Sequence, residues 1–153
     1  MSIAPVRCSI DVKAAPGRAF ELFAQNMGAW WPRGRTPGKN PHTELIIEPK
    51  PDGRWYERDA GGTETPWGKV LAWEPPGRLL LGWQLDHRFQ FDPRILMEVE
   101  ILFAPLAGSG TRVSLEHRNI EQLGADAESF AGKVGSGWPE RMGNFAAYAE
   151  TRM

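Results

Sequence analysis

Alternating apolar and polar positions predict a chain made mostly of β-strands. Side chains alternate in this way over residues 6–13, and a period of two predicts a first strand there. After residue 41 the signal returns in six runs, at 42–48, 54–58, 65–74, 78–85, 95–104 and 111–119. Most of the connections are short turn sequences rich in Gly, Pro and Asp. Such connections predict antiparallel neighbours, because a parallel crossover needs a dozen or more residues.

Helical periodicity appears in three places. Ala15 and Pro16 begin a short amphipathic helix, and residues 27–32 form a second short helical turn that ends at Pro32. Near the C-terminus one apolar stripe predicts a long helix that packs across the sheet. The stripe consists of Phe130, Val134, Trp138, Met142, Phe145 and Ala149. Pro139, preceded by several glycines, predicts a break or kink near Trp138.

The parity of positions within each strand predicts which side chains face the core. In 95–104 the inward set is Met97, Val99, Ile101 and Phe103, and in 78–85 it is Leu79, Leu81 and Trp83. In 111–119 the same test places His117 on the apolar face with Val113 and Leu115.

The Trp-rich stretch 53–85 holds four of the seven tryptophans, which predicts a sheet that lines a pocket. Trp55 and Glu57 lie on the same face of their strand. If Trp55 faces the core, the carboxylate of Glu57 does too. In 65–74 the small residues Gly68, Val70 and Ala72 are favoured as the inward set. Trp67 and Trp73 are then predicted to cover the outer face or an interface.

Composition limits the function classes. The chain has 153 residues, which is enough for the single domain predicted over 1–153. Its formal net charge is −1, with 18 basic and 19 acidic residues scattered along the sequence. Nucleic acid is therefore not an expected partner. One cysteine, Cys8, excludes an internal disulfide. No signal peptide or long apolar run is visible, which predicts a cytoplasmic protein without a membrane span.

The order of elements and several short motifs resemble the helix-grip fold of the START-like, or SRPBCC, superfamily. Within it the chain is similar to the branch homologous to the activator of the heat-shock protein 90 ATPase, whose namesake domain is the Aha-type C-terminal domain. The resemblance rests on Ala19-Phe20-Glu21-Leu22-Phe23, Trp30-Trp31-Pro32, Gly53-Arg54-Trp55-Tyr56-Glu57, Trp67-Gly68-Lys69-Val70, Trp73-Glu74-Pro75-Pro76, Arg78-Leu79, Gly82-Trp83, Gly110-Thr111-Arg112-Val113, Leu115-Glu116-His117 and Gly137-Trp138.

This resemblance implies an α+β fold in which a curved, seven-stranded antiparallel sheet wraps around the long C-terminal helix, with two short helices after the first strand. It also implies an apolar cavity between sheet and helix that binds lipids, polyketides or other hydrophobic small molecules. It carries over no catalytic residue. The residues predicted to line the cavity are Trp31, Trp55, Glu57, Trp83, Met97, Val99, His117, Trp138, Met142 and Phe145.

Three functional hypotheses follow. The first is a non-catalytic binder of a hydrophobic or aromatic small molecule. The second is a cyclase or hydrolase in which His117 or Glu57 acts as acid or base, although a structural histidine and an ion-paired glutamate are the competing interpretations. The third is a chaperone-related interaction module that forms a homodimer through Trp67 and Trp73. His42, His87 and His117 lack the spacing of a zinc site, and no cofactor motif is present, so no metal or cofactor is predicted.

Overall fold

The computed structural model describes residues 3–152 as an α+β fold with one curved antiparallel sheet. Seven strands form the sheet: β1 (Val6–Val12), β2 (His42–Ile47), β3 (Arg54–Asp59), β4 (Glu64–Glu74), β5 (Arg78–Trp83), β6 (Met97–Pro105) and β7 (Thr111–Arg118). The helices are α1 (Pro16–Ala24), α2 (Met27–Trp30), a 3₁₀ helix (Ile120–Asp126) and the long α3 (Ala127–Thr151). The predicted seven strands, two short helices and C-terminal helix are confirmed.

The strand order is β1-β7-β6-β5-β4-β3-β2, and every neighbouring pair is antiparallel. From β2 to β7 the chain is a meander, as the short connections predict. β1 lies at one edge, where Val6 is paired with His117 and Val12 with Thr111. The two short helices therefore join opposite edges of the sheet, since β2 forms the other edge.

The core lies between the concave face of the sheet and α3. Met97, Val99 and Ile101 of β6 are fully buried, and so are Phe130 and Phe145 of α3. The predicted inward faces of β5, β6 and β7 are confirmed, including the position of His117. The apolar stripe of α3 is buried along its whole length, from Phe130 to Ala149.

The predicted orientation of the β4 tryptophans is wrong for Trp67, which is buried in the core with 1% of its surface exposed. Trp73 is partly buried and packs edge-to-face on Phe20 of α1, with ring centroids 5.0 Å apart. The physical reason is a pair of irregularities in β4. The pairing register shifts between Trp55 and Tyr56 on the β3 side and between Val70 and Ala72 on the β5 side. Each extra residue reverses the parity of the strand, so a simple alternation fails.

Pro139 does not interrupt α3, which is helical from Ala127 to Thr151. The predicted break at this position is therefore wrong, and the alternative of a kink stays a prediction. Proline removes one backbone N–H from the helix, but the flanking side chains Trp138 and Met142 are buried against the sheet. Packing along the apolar stripe holds the helix together across the missing hydrogen bond. None of the helices in residues 3–152 has the length and apolarity needed to cross a membrane.

Candidate ligand-binding cavity

A cavity of about 550 Å³ opens at one end of the space between the sheet and α3, next to the N-terminal half of α3. We call this space between sheet and α3 the grip. Three segments enclose it: the loop of residues 33–41, the connection of residues 84–96 between β5 and β6, and α3. Its lining residues are Trp31, Gly34, Arg35, Thr36, Pro37, Trp67, Trp83, Leu85, Arg88, Phe89, Gln90, Lys133, Val134, Ser136, Gly137, Trp138, Glu140 and Arg141. The volume lies within the range of about 300 to 1,000 Å³ that is typical of small-molecule sites.

Four tryptophans form the aromatic floor of the cavity: Trp31, Trp67, Trp83 and Trp138. Trp31 packs edge-to-face on Trp67 and Trp138, with centroid distances of 5.0 Å and 5.7 Å, and Trp83 lies 5.9 Å from Trp138. Edge-to-face contacts of this kind fix the rings relative to one another. The floor is therefore a rigid cluster of aromatic rings, each of them 1% to 6% exposed.

Glu57 holds the 33–41 loop in place from inside the protein. Its carboxylate is 1% exposed and accepts hydrogen bonds from Trp67 Nε1 at 2.8 Å, the Gly38 amide at 3.0 Å and Thr36 Oγ1 at 2.8 Å. A β-carbon at Gly38 would lie 2.6 Å from Glu57 Oε2, so only glycine allows this approach. One buried side chain thus fixes both an aromatic side chain of the floor and a wall of the cavity.

Two further contacts tie the same loop to the fold. Trp31 Nε1 donates to the Arg35 carbonyl oxygen at 3.1 Å. Asn40 Nδ2 donates to Asp59 Oδ2 at 3.2 Å. The Pro- and Gly-rich segment, which the sequence identifies only as a surface loop, is therefore held at both of its ends.

The opposite wall is the 84–96 connection, where a carboxylate organises the backbone. Asp86 Oδ1 accepts hydrogen bonds from the amides of Arg88 and Gln90, at 2.9 Å and 3.0 Å. Between them Phe89 has a φ of 60°, a left-handed conformation that is rare for a bulky residue. This conformation places the Phe89 ring 5.8 Å from that of Phe130 and 6.3 Å from that of Trp83. Phe89 thereby extends the aromatic surface to the side of the cavity.

His117 lies behind the aromatic floor and is not among the lining residues. Its Nδ1 accepts a hydrogen bond from Trp138 Nε1 at 3.1 Å, and its ring packs on Trp83 at 4.9 Å. Its Nε2 has no hydrogen-bond partner among the described residues. Burial without a nearby carboxylate lowers the pKa of His117 from 6.5 to about 3. The imidazole is therefore neutral at physiological pH. It orients Trp138, which is part of the aromatic floor.

Of the ten side chains predicted to line the cavity, Trp31, Trp83 and Trp138 do so. The other seven belong to the surrounding packing: Trp55, Glu57, Met97, Val99, His117, Met142 and Phe145 are all buried. Large side chains fill the middle of the space between sheet and α3, and the cavity lies at one end of that space. Sequence reasoning missed the walls contributed by 33–41 and 84–96, because irregular segments carry no periodic signal.

Residues 3–152 contain no cluster of three or more potential metal ligands.

Comparison with known proteins agrees with this architecture. A sequence model of the family described as Activator of Hsp90 ATPase homolog 1-like protein matches residues 13–150. The chain belongs to this family. The helix-grip, START-like fold expected from the sequence motifs is thereby confirmed, as is the branch of the superfamily. No curated protein matches the chain.

Solved structures of similar chains include proteins with different activities. An anthrahydroquino-gamma-pyrone synthase complexed with SUM is 35% identical, covers 95% of this chain and 97% of its own, and has a TM-score of 0.66. CalC, a self-sacrificing resistance protein from Micromonospora echinospora, is 28% identical over 97% of this chain and 95% of its own, with a TM-score of 0.70. The Aha1 dimer from Colwellia psychrerythraea is 13% identical, with 94% of each chain covered and a TM-score of 0.64, which shows a shared fold alone.

Proposed function

We propose that the protein binds a hydrophobic or aromatic small molecule, of lipid or polyketide type, in the cavity at the end of the grip. The observation that carries the proposal is the preformed floor of four tryptophans beneath a space of about 550 Å³. The space combines aromatic rings with polar and charged side chains, and its volume lies in the range usual for ligand sites. The 35% identity with a synthase named for an anthrahydroquinone supports an aromatic ligand.

A blocked cavity tests this proposal. Ser136 lines the cavity from an exposed position on α3, and Ser136→Phe places a ring in the space. Ala147→Phe adds the same ring at an exposed position of α3 that does not line the cavity. A panel of polycyclic aromatics and lipids is screened by thermal shift and by quenching of tryptophan fluorescence. We expect compounds that stabilise the wild type and Ala147→Phe but not Ser136→Phe; a panel without a single hit contradicts the proposal.

A second candidate function is catalysis on the bound aromatic molecule. Similarity to a synthase favours it, but neither of the acid–base residues expected from the sequence reaches the cavity. His117 is fully buried with a lowered pKa, and Glu57 is engaged by three hydrogen-bond donors. The carboxylate that lines the cavity is that of Glu140. Product analysis of bound hydroxylated aromatics by mass spectrometry, with Glu140→Gln as the variant, tests this function; ligands recovered unchanged contradict it.

Self-association through Trp67 has no basis, since Trp67 lies in the core. The homodimer therefore stays a prediction without an identified interface. Sedimentation at several protein concentrations decides between monomer and dimer.

A further inference from the structure

Positive charge is concentrated at the cavity. Its lining includes four cationic side chains, Arg35, Arg88, Lys133 and Arg141, and one carboxylate, that of Glu140. The chain as a whole carries 18 basic and 19 acidic residues. The imbalance is therefore local, and it is invisible in the composition.

Arginines on the outer face of the sheet are, in contrast, matched by carboxylates. Arg118 contacts Glu98, Glu100 and Glu116 at 2.8 to 3.1 Å. Within residues 3–152, no carboxylate lies at ion-pair distance from Arg35, Arg88 or Lys133. Lys133 instead donates to the carbonyl oxygen of His87 at 3.0 Å. The cations of the cavity thus retain the capacity to bind an external anion.

Arg141 is the most sheltered of these cations. Its side chain is 14% exposed, and its guanidinium carbon lies 5.1 Å from the centre of the Trp31 ring. Its ion-pair partner, Glu140, is the adjacent residue and has a side chain that is 52% exposed, at a distance of 3.2 Å. Burial lowers the pKa of Arg141, the carboxylate of Glu140 counteracts this, and the charge of Arg35 lowers the pKa further. An anion beside Arg141 would offset the cost of this largely buried charge.

We propose that the cavity selects anionic aromatic ligands, whose carboxylate, sulfonate or phenolate binds at Arg141 and Arg35 while the rings lie on the tryptophan floor. The inference rests on the proposed function and adds the charge of the ligand. A planar guanidinium gives paired, charge-assisted hydrogen bonds to such groups. Arg141, stacked on Trp31, joins the anion site to the aromatic floor.

Two fluorescent probes that differ by a single charged group test the inference. These are 1-anilinonaphthalene-8-sulfonate, which is an anion, and N-phenyl-1-naphthylamine, its neutral counterpart. We expect the wild type to bind the anion at least about tenfold more tightly. Arg141→Gln should reduce that affinity about tenfold and Lys133→Gln by a smaller factor, in line with the loss of a charge-assisted contact. Binding of the neutral probe should change less than about twofold in both variants.

Arg112→Gln is the matched control, since Arg112 lies on the outer face and is paired with Asp11. It should leave both affinities unchanged. Lys133 is exposed, so Lys133→Gln remains informative if Arg141→Gln fails to fold. The charge inference is overturned, and the proposed function stands, if the wild type binds the neutral probe as tightly as the anion. The same holds if Arg141→Gln, Lys133→Gln and Arg112→Gln all have the same affinity for the anionic probe. If neither probe binds, the proposed function and the inference with it are contradicted.

Anionic aromatics and anionic lipids share the same charge. Displacement of the bound anionic probe by anthraquinone-2-carboxylate and by oleate separates them. We expect the aromatic carboxylate to displace the probe at lower concentration, because the floor consists of flat rings. Displacement by oleate alone would overturn the aromatic part of the inference.

Discussion

Acidification should destabilise the protein through His117, and the size of the effect follows from its burial. The pKa of His117 is lowered from 6.5 to about 3 in the folded protein, so the unfolded chain takes up this proton first as the pH falls. The contribution of the neutral imidazole is therefore fully present above pH 6.5 and is lost progressively down to about pH 3. At about 1.36 kcal/mol per pH unit, a change from pH 7 to pH 5 costs about 2 kcal/mol of unfolding free energy.

Urea unfolding at pH 7 and pH 5 measures this cost in the wild type and in His117→Gln. The glutamine oxygen is able to accept the hydrogen bond of Trp138 but does not titrate, so the variant should lose about 2 kcal/mol less between the two pH values. Equal losses in wild type and His117→Gln would show that His117 does not cause the pH dependence, and so would a His117 ring signal that titrates near pH 6.5 in NMR spectra.

Three further substitutions test how the cavity is held. Glu57→Leu leaves three donors without an acceptor, so it should lower the unfolding free energy by about 3 to 5 kcal/mol and speed hydrogen exchange in 33–41. Glu44→Leu, which removes only a surface ion pair with Arg58, is the control and should change stability by about 1 kcal/mol or less. Equal effects of the two substitutions would exclude the anchoring role of Glu57. Gly38→Ala should cost about 1 to 3 kcal/mol in chemical denaturation because its β-carbon would meet Glu57, while Gly77→Ala, whose β-carbon meets nothing, serves as the control. Pro139→Ala should raise the unfolding free energy by about 1 to 3 kcal/mol by restoring a helical hydrogen bond, and a decrease would contradict the continuous helix.

The inward faces that sequence predicts correctly are those of strands with unbroken alternation. In β6 the residues Met97, Val99 and Ile101 follow a strict period of two, and each pairs in register with β5 or β7. In β4 the same rule fails for Trp67, because the register shifts beside Trp67 depend on how the neighbouring strands pair. Pairing across strands is a tertiary property that a single strand does not encode.

The candidate site is predicted only in part, for a related reason. Parity with Trp55 correctly indicates that Glu57 faces inward, but its partners Thr36 and Gly38 come from a loop without periodicity. The cavity itself is displaced from the expected position because large side chains, including that of Phe145, fill the centre of the grip. What remains open lies between irregular segments and α3, where Gly137 lines the cavity. These features emerge from packing in three dimensions.

A crystal structure of the protein with the neutral probe N-phenyl-1-naphthylamine shows directly whether the cavity binds a hydrophobic aromatic molecule. We expect density for the probe in the cavity, with its rings against Trp31, Trp83 and Trp138 and enclosed by the 33–41 loop and the 84–96 connection. Density at another surface only, for example in the groove near Cys8 and Ser114 on the outer face of the sheet, with the cavity free of probe, would contradict it.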